Sequence, residues 1–129
     1  MDTKADKDVI ARGAWGTIEF AVRHNGARPA EKFLEELDKK QLSRKRTKLF
    51  TLFQWQANGR NLGEQKFKHL KDDIFEFKSG QARVLCFQKG NCWLITNGYI
   101  KKQDNCPPRE IAKAKRIMQE HLECEGKKK

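Results

Sequence analysis

The stretch IFEFKSGQARVLCFQKGNCWLITNGY, residues 74–99, decides the fold class. Three short runs in it alternate between apolar and polar side chains or are largely apolar, and glycine-containing turns separate them. Such runs, bounded by turn residues, are typical of strands. Because the connections are so short, neighbouring strands are predicted to run antiparallel. The stretch therefore predicts a meander of three strands, 74–78, 82–88 and 92–99.

Helical patterns flank this meander on both sides. Pro29 suits the first position of a helix, and apolar residues follow it at helical spacing as far as Leu37. A second helix is predicted from Ser43, as its N-cap, to the stop signal Asn58-Gly59. A last helix is predicted to open at Pro107-Pro108. The expected buried stripe of this last helix is Ile111, Ala114, Met118 and Leu122.

One further strand is predicted at residues 16–22, before the first helix. The order strand, two helices, strands, helix predicts a compact α+β fold. In this fold a twisted antiparallel sheet carries two N-terminal helices on one face, together with a C-terminal helix. The 129 residues are expected to form a single domain, 1–129. Residues 1–14 are expected to be a loose lead-in and residues 125–129 a frayed basic tail.

Basic side chains dominate the composition, with 28 Lys and Arg against 17 Asp and Glu and a formal net charge of +11. The surplus lies after residue 38, because the first 38 residues hold six basic and eight acidic side chains. This excess indicates a polyanionic partner. No apolar run approaches the ~20 residues of a membrane span, so no membrane partner is expected. The first eight residues contain no apolar stretch, so no secretory signal is expected and the cytoplasm is the predicted compartment.

Neither a metal site nor a nucleotide cofactor is predicted. The four cysteines include no Cys-x-x-Cys pair and the three histidines are scattered, whereas zinc ligands usually come in closely spaced pairs. In the cytoplasm the cysteines are expected to stay reduced. The sequence also contains no phosphate-binding glycine loop and no dinucleotide fingerprint.

Cations surround the predicted meander. Arg83 is expected on the same strand face as Leu85 and Phe87, with Lys78 across the intervening turn. Lys101 and Lys102 follow the third strand, and a further basic group precedes the first. That group consists of Lys66, Lys68, His69 and Lys71. Gathered on one face or rim of the sheet, these side chains would bind phosphate or stabilise a phosphorane-like transition state, and the pattern leaves both open.

Five segments, in this order and spacing, resemble the RelE/HigB toxin superfamily and specifically its HigB-like, phage-derived branch. The segments are Lys68-His69-Leu70, Ile74–Lys78, Arg83-Val84-Leu85, Asn97–Lys102 and Pro108–Lys115. The resemblance implies a compact RelE-like microdomain that acts as the toxin of a type II toxin–antitoxin system. The implied activity is metal-independent mRNA cleavage, usually on a translating ribosome, and the implied partners are mRNA, ribosomal RNA and a cognate helix-turn-helix antitoxin.

The resemblance also implies roles for individual residues. Arg83 matches the strand arginine that contacts the scissile phosphate, and Lys101 and Lys102 match the basic pair after the last strand. Lys78 stands where arginine is usual, so the charge is kept without the bidentate fork. The expected chemistry is attack by the RNA's own 2′-hydroxyl on the adjacent phosphate. Candidates for the acid or base are His69 and a lysine whose pKa is lowered by neighbouring cations.

Two substitutions depart from the family pattern, because Asn97 replaces a common histidine and Tyr99 replaces phenylalanine. Tyr99 keeps a surface on which a base would stack. The residues expected to bind RNA are Lys66, Lys68, Lys71, Tyr99, Arg44, Lys45, Arg46 and Lys48, although a solvated helix face also accounts for the last four. Two alternatives stay open: a non-catalytic or degenerate RNA- or ribosome-binding phage-derived protein, and a gyrase-poisoning toxin of the same fold.

Overall fold

The structure is a computed structural model that describes residues 8–40, 42–102 and 105–127, without the side chain of Lys127. The strands are β1 (Val9–Arg12), β2 (Thr17–Phe20), β3 (Phe67–Lys71), β4 (Ile74–Ser79), β5 (Ala82–Lys89) and β6 (Cys92–Ile100). The helices are α1 (Pro29–Lys39), α2 (Ser43–Ala57) and α3 (Pro108–Lys127). The predicted α+β class is confirmed. None of the helices in this part of the chain has the length and apolar character needed to cross a membrane.

The six strands form one sheet in the order β1-β2-β6-β5-β4-β3. The β4–β5–β6 meander has the predicted antiparallel pairing, and short turns fix its register. The expectation of a wholly antiparallel sheet is wrong at one pair, because β2 runs parallel to β6. No short turn links these two strands. The chain leaves β2 through two helices, and β2 pairs with the free edge of β6.

Both faces of the sheet are covered. On one face Val84 packs with α1 and α2, in a core that includes Leu34 and Phe53. On the other face Leu85 and Phe87 pack with α3 in a second core. The two N-terminal helices therefore share one face, as predicted, and the C-terminal helix covers the opposite face. Strand alternation assigns Arg83 to the α3 face together with Leu85 and Phe87.

Two strands differ from the sequence predictions. Within the lead-in expected over residues 1–14, β1 pairs with β2 and buries Ala11, whereas residues 1–7 lie outside the described residues. Strand β3 was not predicted, because its side chains are mostly polar and its one paired neighbour is β4. It forms the edge of the sheet, where a polar strand is favoured.

The helix ends also differ. Helix α2 starts at Ser43 itself, and no side chain caps it, so the predicted Ser43 N-cap is wrong. Helix α3 continues through residues 125–127, which are therefore not frayed, whereas residues 128–129 lie outside the described residues. Leu122 is 39% exposed and lies outside the buried stripe. Ile117 and His121 are buried on this helix instead. The Nδ1 of His121 accepts a hydrogen bond from the Val22 N–H at 3.0 Å.

Candidate functional site

A cavity of about 430 Å³ opens on the α3 face of the sheet. Strand pairing builds it, because Lys68 lies opposite Glu76 on β4, Lys78 lies opposite Arg83, and Arg83 lies opposite Tyr99 on β6. Alternation then directs these side chains to one face. The full lining is Gln65, Lys68, His69, Leu70, Glu76, Lys78, Arg83, Tyr99, Lys101, Asn105, Cys106 and Ile111. We call this site the cationic cavity.

Four cations line the cationic cavity: Lys68, Lys78, Arg83 and Lys101. Partial burial of Lys78, and after it the positive charge of Arg83, lower the pKa of the Lys78 ammonium from its ordinary 10.5. Lys68 and Lys101 add to this effect, whereas Glu76 opposes it. Lys78 therefore lies within electrostatic reach of the other three cations. A phosphate bound among them would relieve this repulsion.

Glu76 lies beneath these cations and is only 3% exposed. Its Oε2 accepts a hydrogen bond from the Tyr99 hydroxyl at 2.7 Å, and its Oε1 forms an ion pair at 3.5 Å with Nη1 of Arg83. The Arg83 Nε is buried and has no hydrogen-bond acceptor among the described residues. Arg83 is thus held from one side by Glu76, and its side chain lines the cavity.

Tyr99 serves as a hydrogen-bond donor in this network. Burial, together with the contacts to Cys106 and Glu76, raises the pKa of the Tyr99 hydroxyl well above its ordinary value, which keeps it protonated. Burial also raises the pKa of the Cys106 thiol. Because Tyr99 is 9% exposed, its ring presents little surface for a nucleobase. The burial of the Tyr99 ring therefore argues against the expectation that it stacks a base.

Not all of the predicted site residues belong to the lining of the cationic cavity. Lys66, Lys71 and Lys102 do not line the cationic cavity. His69 reaches its lining, but alternation along β3 assigns it to the face of Phe67 and Phe75. Its ring lies 4.7 Å from that of Phe75, and its Nε2 lies 2.5 Å from the carbonyl oxygen of Asp72. The imidazole is therefore engaged outside the cation cluster.

The predicted basic cluster on α2 divides into two parts. Arg46 is 3.6 Å from the carboxylate of Asp38, and its guanidinium lies 4.6 Å from the centre of the Phe50 ring. These contacts tie Arg46 to the helix pair. The other three cations of the cluster line a second depression of about 490 Å³ together with two hydroxyl-bearing residues. We call this depression the α2 patch, and its lining is Ser43, Arg44, Lys45, Thr47 and Lys48.

Asn97 and Trp93 have structural roles. Asn97 is buried, and its Nδ2 donates to the Glu110 carboxylate at 3.0 Å, which fixes the first turn of α3. Trp93 is 5% exposed and packs in the core of the α1–α2 face. The position of the family histidine thus holds an amide that orders the helix behind the cavity.

Sequence reasoning did not assign a site role to Glu76, Gln65, Asn105 or Cys106, all of which line the cationic cavity. For Glu76 the available signal is a carboxylate between the two aromatic residues Phe75 and Phe77 of a strand. The described cysteines are all free. In this part of the chain no group of three or more His, Cys, Asp or Glu side chains is arranged to hold a metal ion.

The fold and the site define a small α+β protein with a cavity that four cations line beside a buried carboxylate. The chain belongs to the family described as phage-derived protein Gp49-like (DUF891), which it matches over residues 32–119. This range contains every residue that lines the cationic cavity. The family is associated with the toxins of toxin–antitoxin systems. No curated protein matches the chain.

Proposed function

We propose that the protein is a RelE/HigB-type toxin that cleaves mRNA on the ribosome in the cytoplasm and is neutralised by a helix-turn-helix antitoxin. The observation that carries this proposal is the convergence of Lys68, Lys78, Arg83 and Lys101 on one cavity. Its volume, about 430 Å³, suits a small ligand such as a nucleotide unit. Membership of a toxin-associated family supports the same function.

The proposed reaction is an RNA transesterification. The 2′-oxygen attacks the adjacent phosphorus in line, the bond from phosphorus to O5′ breaks, and the products are a 2′,3′-cyclic phosphate and a 5′-hydroxyl. The Arg83 guanidinium, which lines the cavity, donates to a non-bridging oxygen as negative charge develops. Lys101 and Lys68 add positive charge beside it. Arginine and lysine both bind phosphate strongly through such charge-assisted hydrogen bonds.

Lys78 is the proposed base for the 2′-hydroxyl proton. Its lowered pKa gives it a larger neutral fraction than an ordinary lysine, and it lies directly across the strand pair from Arg83. The leaving O5′ takes a proton from solvent water, and the protonated Lys78 returns its proton to solvent. His69, the other candidate, is held by Phe75 and by the Asp72 carbonyl.

The purified protein tests this function on RNA with and without ribosomes. Fragments ending in a 2′,3′-cyclic phosphate are expected, and a 2′-deoxy substitution at the cleaved position should block the reaction at that bond only. Fragments that instead begin with a 5′-phosphate would contradict the mechanism. RNA left intact in both conditions, with tight RNA binding, would establish the degenerate binding protein in its place.

Lys78→Arg is expected to remove the rise of the single-turnover rate with pH. In the wild type the rate should increase with pH towards the pKa of Lys78, because neutral amine accumulates. A guanidinium keeps the charge but does not deprotonate. The variant should therefore be slower by about 10²-fold or more, with a flat profile from about pH 6 to pH 9. Lys68→Arg, a second cavity lysine, is the control that retains the rise, and a Lys78→Arg profile parallel to wild type would exclude Lys78 as the base.

A further inference from the structure

The α2 patch lies on the opposite face of the sheet from the cationic cavity, on the face that α1 and α2 cover. The first turn of α2 contains no acidic residue. Arg46 in this turn is paired with Asp38. In the described residues, Arg44, Lys45 and Lys48 form no ion pair within 4.0 Å. Three unneutralised cations thus share one depression with the hydroxyls of Ser43 and Thr47.

Lys45 connects this patch with the turn between β4 and β5. A Cβ built on Gly80 would lie 2.6 Å from Nζ and 2.8 Å from Cε of Lys45, so the end of this side chain lies against Gly80. The strands that meet at this turn carry Lys78 and Arg83 of the cationic cavity. Positive charge therefore continues from the cavity around the end of the sheet to α2.

We propose that the α2 patch binds the backbone of the same single-stranded RNA whose scissile phosphate occupies the cationic cavity, with Lys45 as the bridge across the Gly80 turn. This inference rests on the proposed function and extends it to the path of the substrate. The patch offers cations and hydroxyls but no aromatic side chain. Such a lining contacts phosphate and sugar without reading bases, so it positions the strand.

The test measures binding of a non-cleavable, 2′-O-methyl single-stranded RNA at several salt concentrations. Each phosphate contact on a single strand contributes about 0.7 to the slope of log affinity against log salt. The triple variant Arg44→Ala/Lys45→Ala/Lys48→Ala should therefore reduce the slope by about 2, and Lys45→Gln alone by about 0.7. Binding of a dinucleotide, which has a single phosphate for the cavity, should be the same in wild type and variants.

The matched control removes three exposed cations from elsewhere, Lys32→Ala/Lys113→Ala/Arg116→Ala, which lowers the net charge equally. Its salt slope should stay at the wild-type value. A wild-type slope in the triple variant would overturn the proposal. A loss confined to ribosome binding would also overturn it, because the patch would then contact ribosomal RNA. The binding assay does not depend on cleavage. If the salt slope depends on the patch but the purified protein cuts no RNA, the proposed function is refuted and the binding proposal stands.

Discussion

Arg83→Ala is expected to lower RNA cleavage by about 10²- to 10³-fold, the usual cost of removing one preorganised donor from a site of developing negative charge. Arg83 is 12% exposed at its side chain and lines the cationic cavity together with three lysines. Water replacing the guanidinium would supply neither its charge nor its fixed orientation. Single-turnover rates on a mapped cleavage site measure the effect.

The controls separate chemistry from folding. Arg83→Ala leaves Glu76 with the Tyr99 hydroxyl as its remaining partner, so thermal unfolding must be followed for each variant. Arg83→Lys should have an intermediate rate, because it keeps the charge and loses the fork. Arg109→Ala removes an 81% exposed arginine and should retain the wild-type rate. A folded Arg83→Ala protein that cleaves at the wild-type rate would place the reaction outside the cationic cavity.

Gly98→Ala is expected to destabilise the protein by about 1–3 kcal/mol or more, because the added methyl overpacks the contact between β6 and α1. A Cβ at Gly98 would lie 2.2 Å from Cδ2 and 2.6 Å from Cε2 of Phe33. Phe33 lies on the helix next to the buried Leu34, and the backbone of β6 is constrained by strands on both sides. Chemical denaturation of the variant gives the free energy of unfolding directly.

A double-mutant cycle with Phe33→Ala tests the cause. If the clash is responsible, Gly98→Ala should cost much less in the Phe33→Ala background than in the wild type. Gly126→Ala is the control, because a Cβ there meets no atom within 4 Å and alanine favours a helix by about 0.5–1 kcal/mol. Equal stability of Gly98→Ala and wild type would contradict the close approach.

The meander could be predicted because its pairing is local. Short turns at Gly80 and Gly90 fix which residues of β4, β5 and β6 lie opposite one another, and both glycines have φ of +58°. The β2–β6 pair could not be predicted in the same way, because no turn sets its direction. Strand β3 shows the other limit, since its polar residues become a strand only through pairing with β4.

The same distinction applies to the site. Arg83 and Lys78 follow from strand alternation across one turn, and sequence reasoning placed them together. The role of Glu76 depends on Tyr99, which lies two strands away on β6 with β5 between them. The position of His69 also depends on strand pairing, because the register of β3 with β4 places its ring against Phe75.

The parallel β2–β6 pair has a consequence for synthesis of the chain. Thr17 pairs with Cys92, so most of the chain must be translated before the β6 partner of β2 exists. Contacts between residues so distant in sequence also slow folding, because a long loop must close first. The meander that forms the cationic cavity closes through local turns. The β2–β6 pair therefore forms only after β6 has been made, whereas the β4–β5–β6 pairs need only local turns.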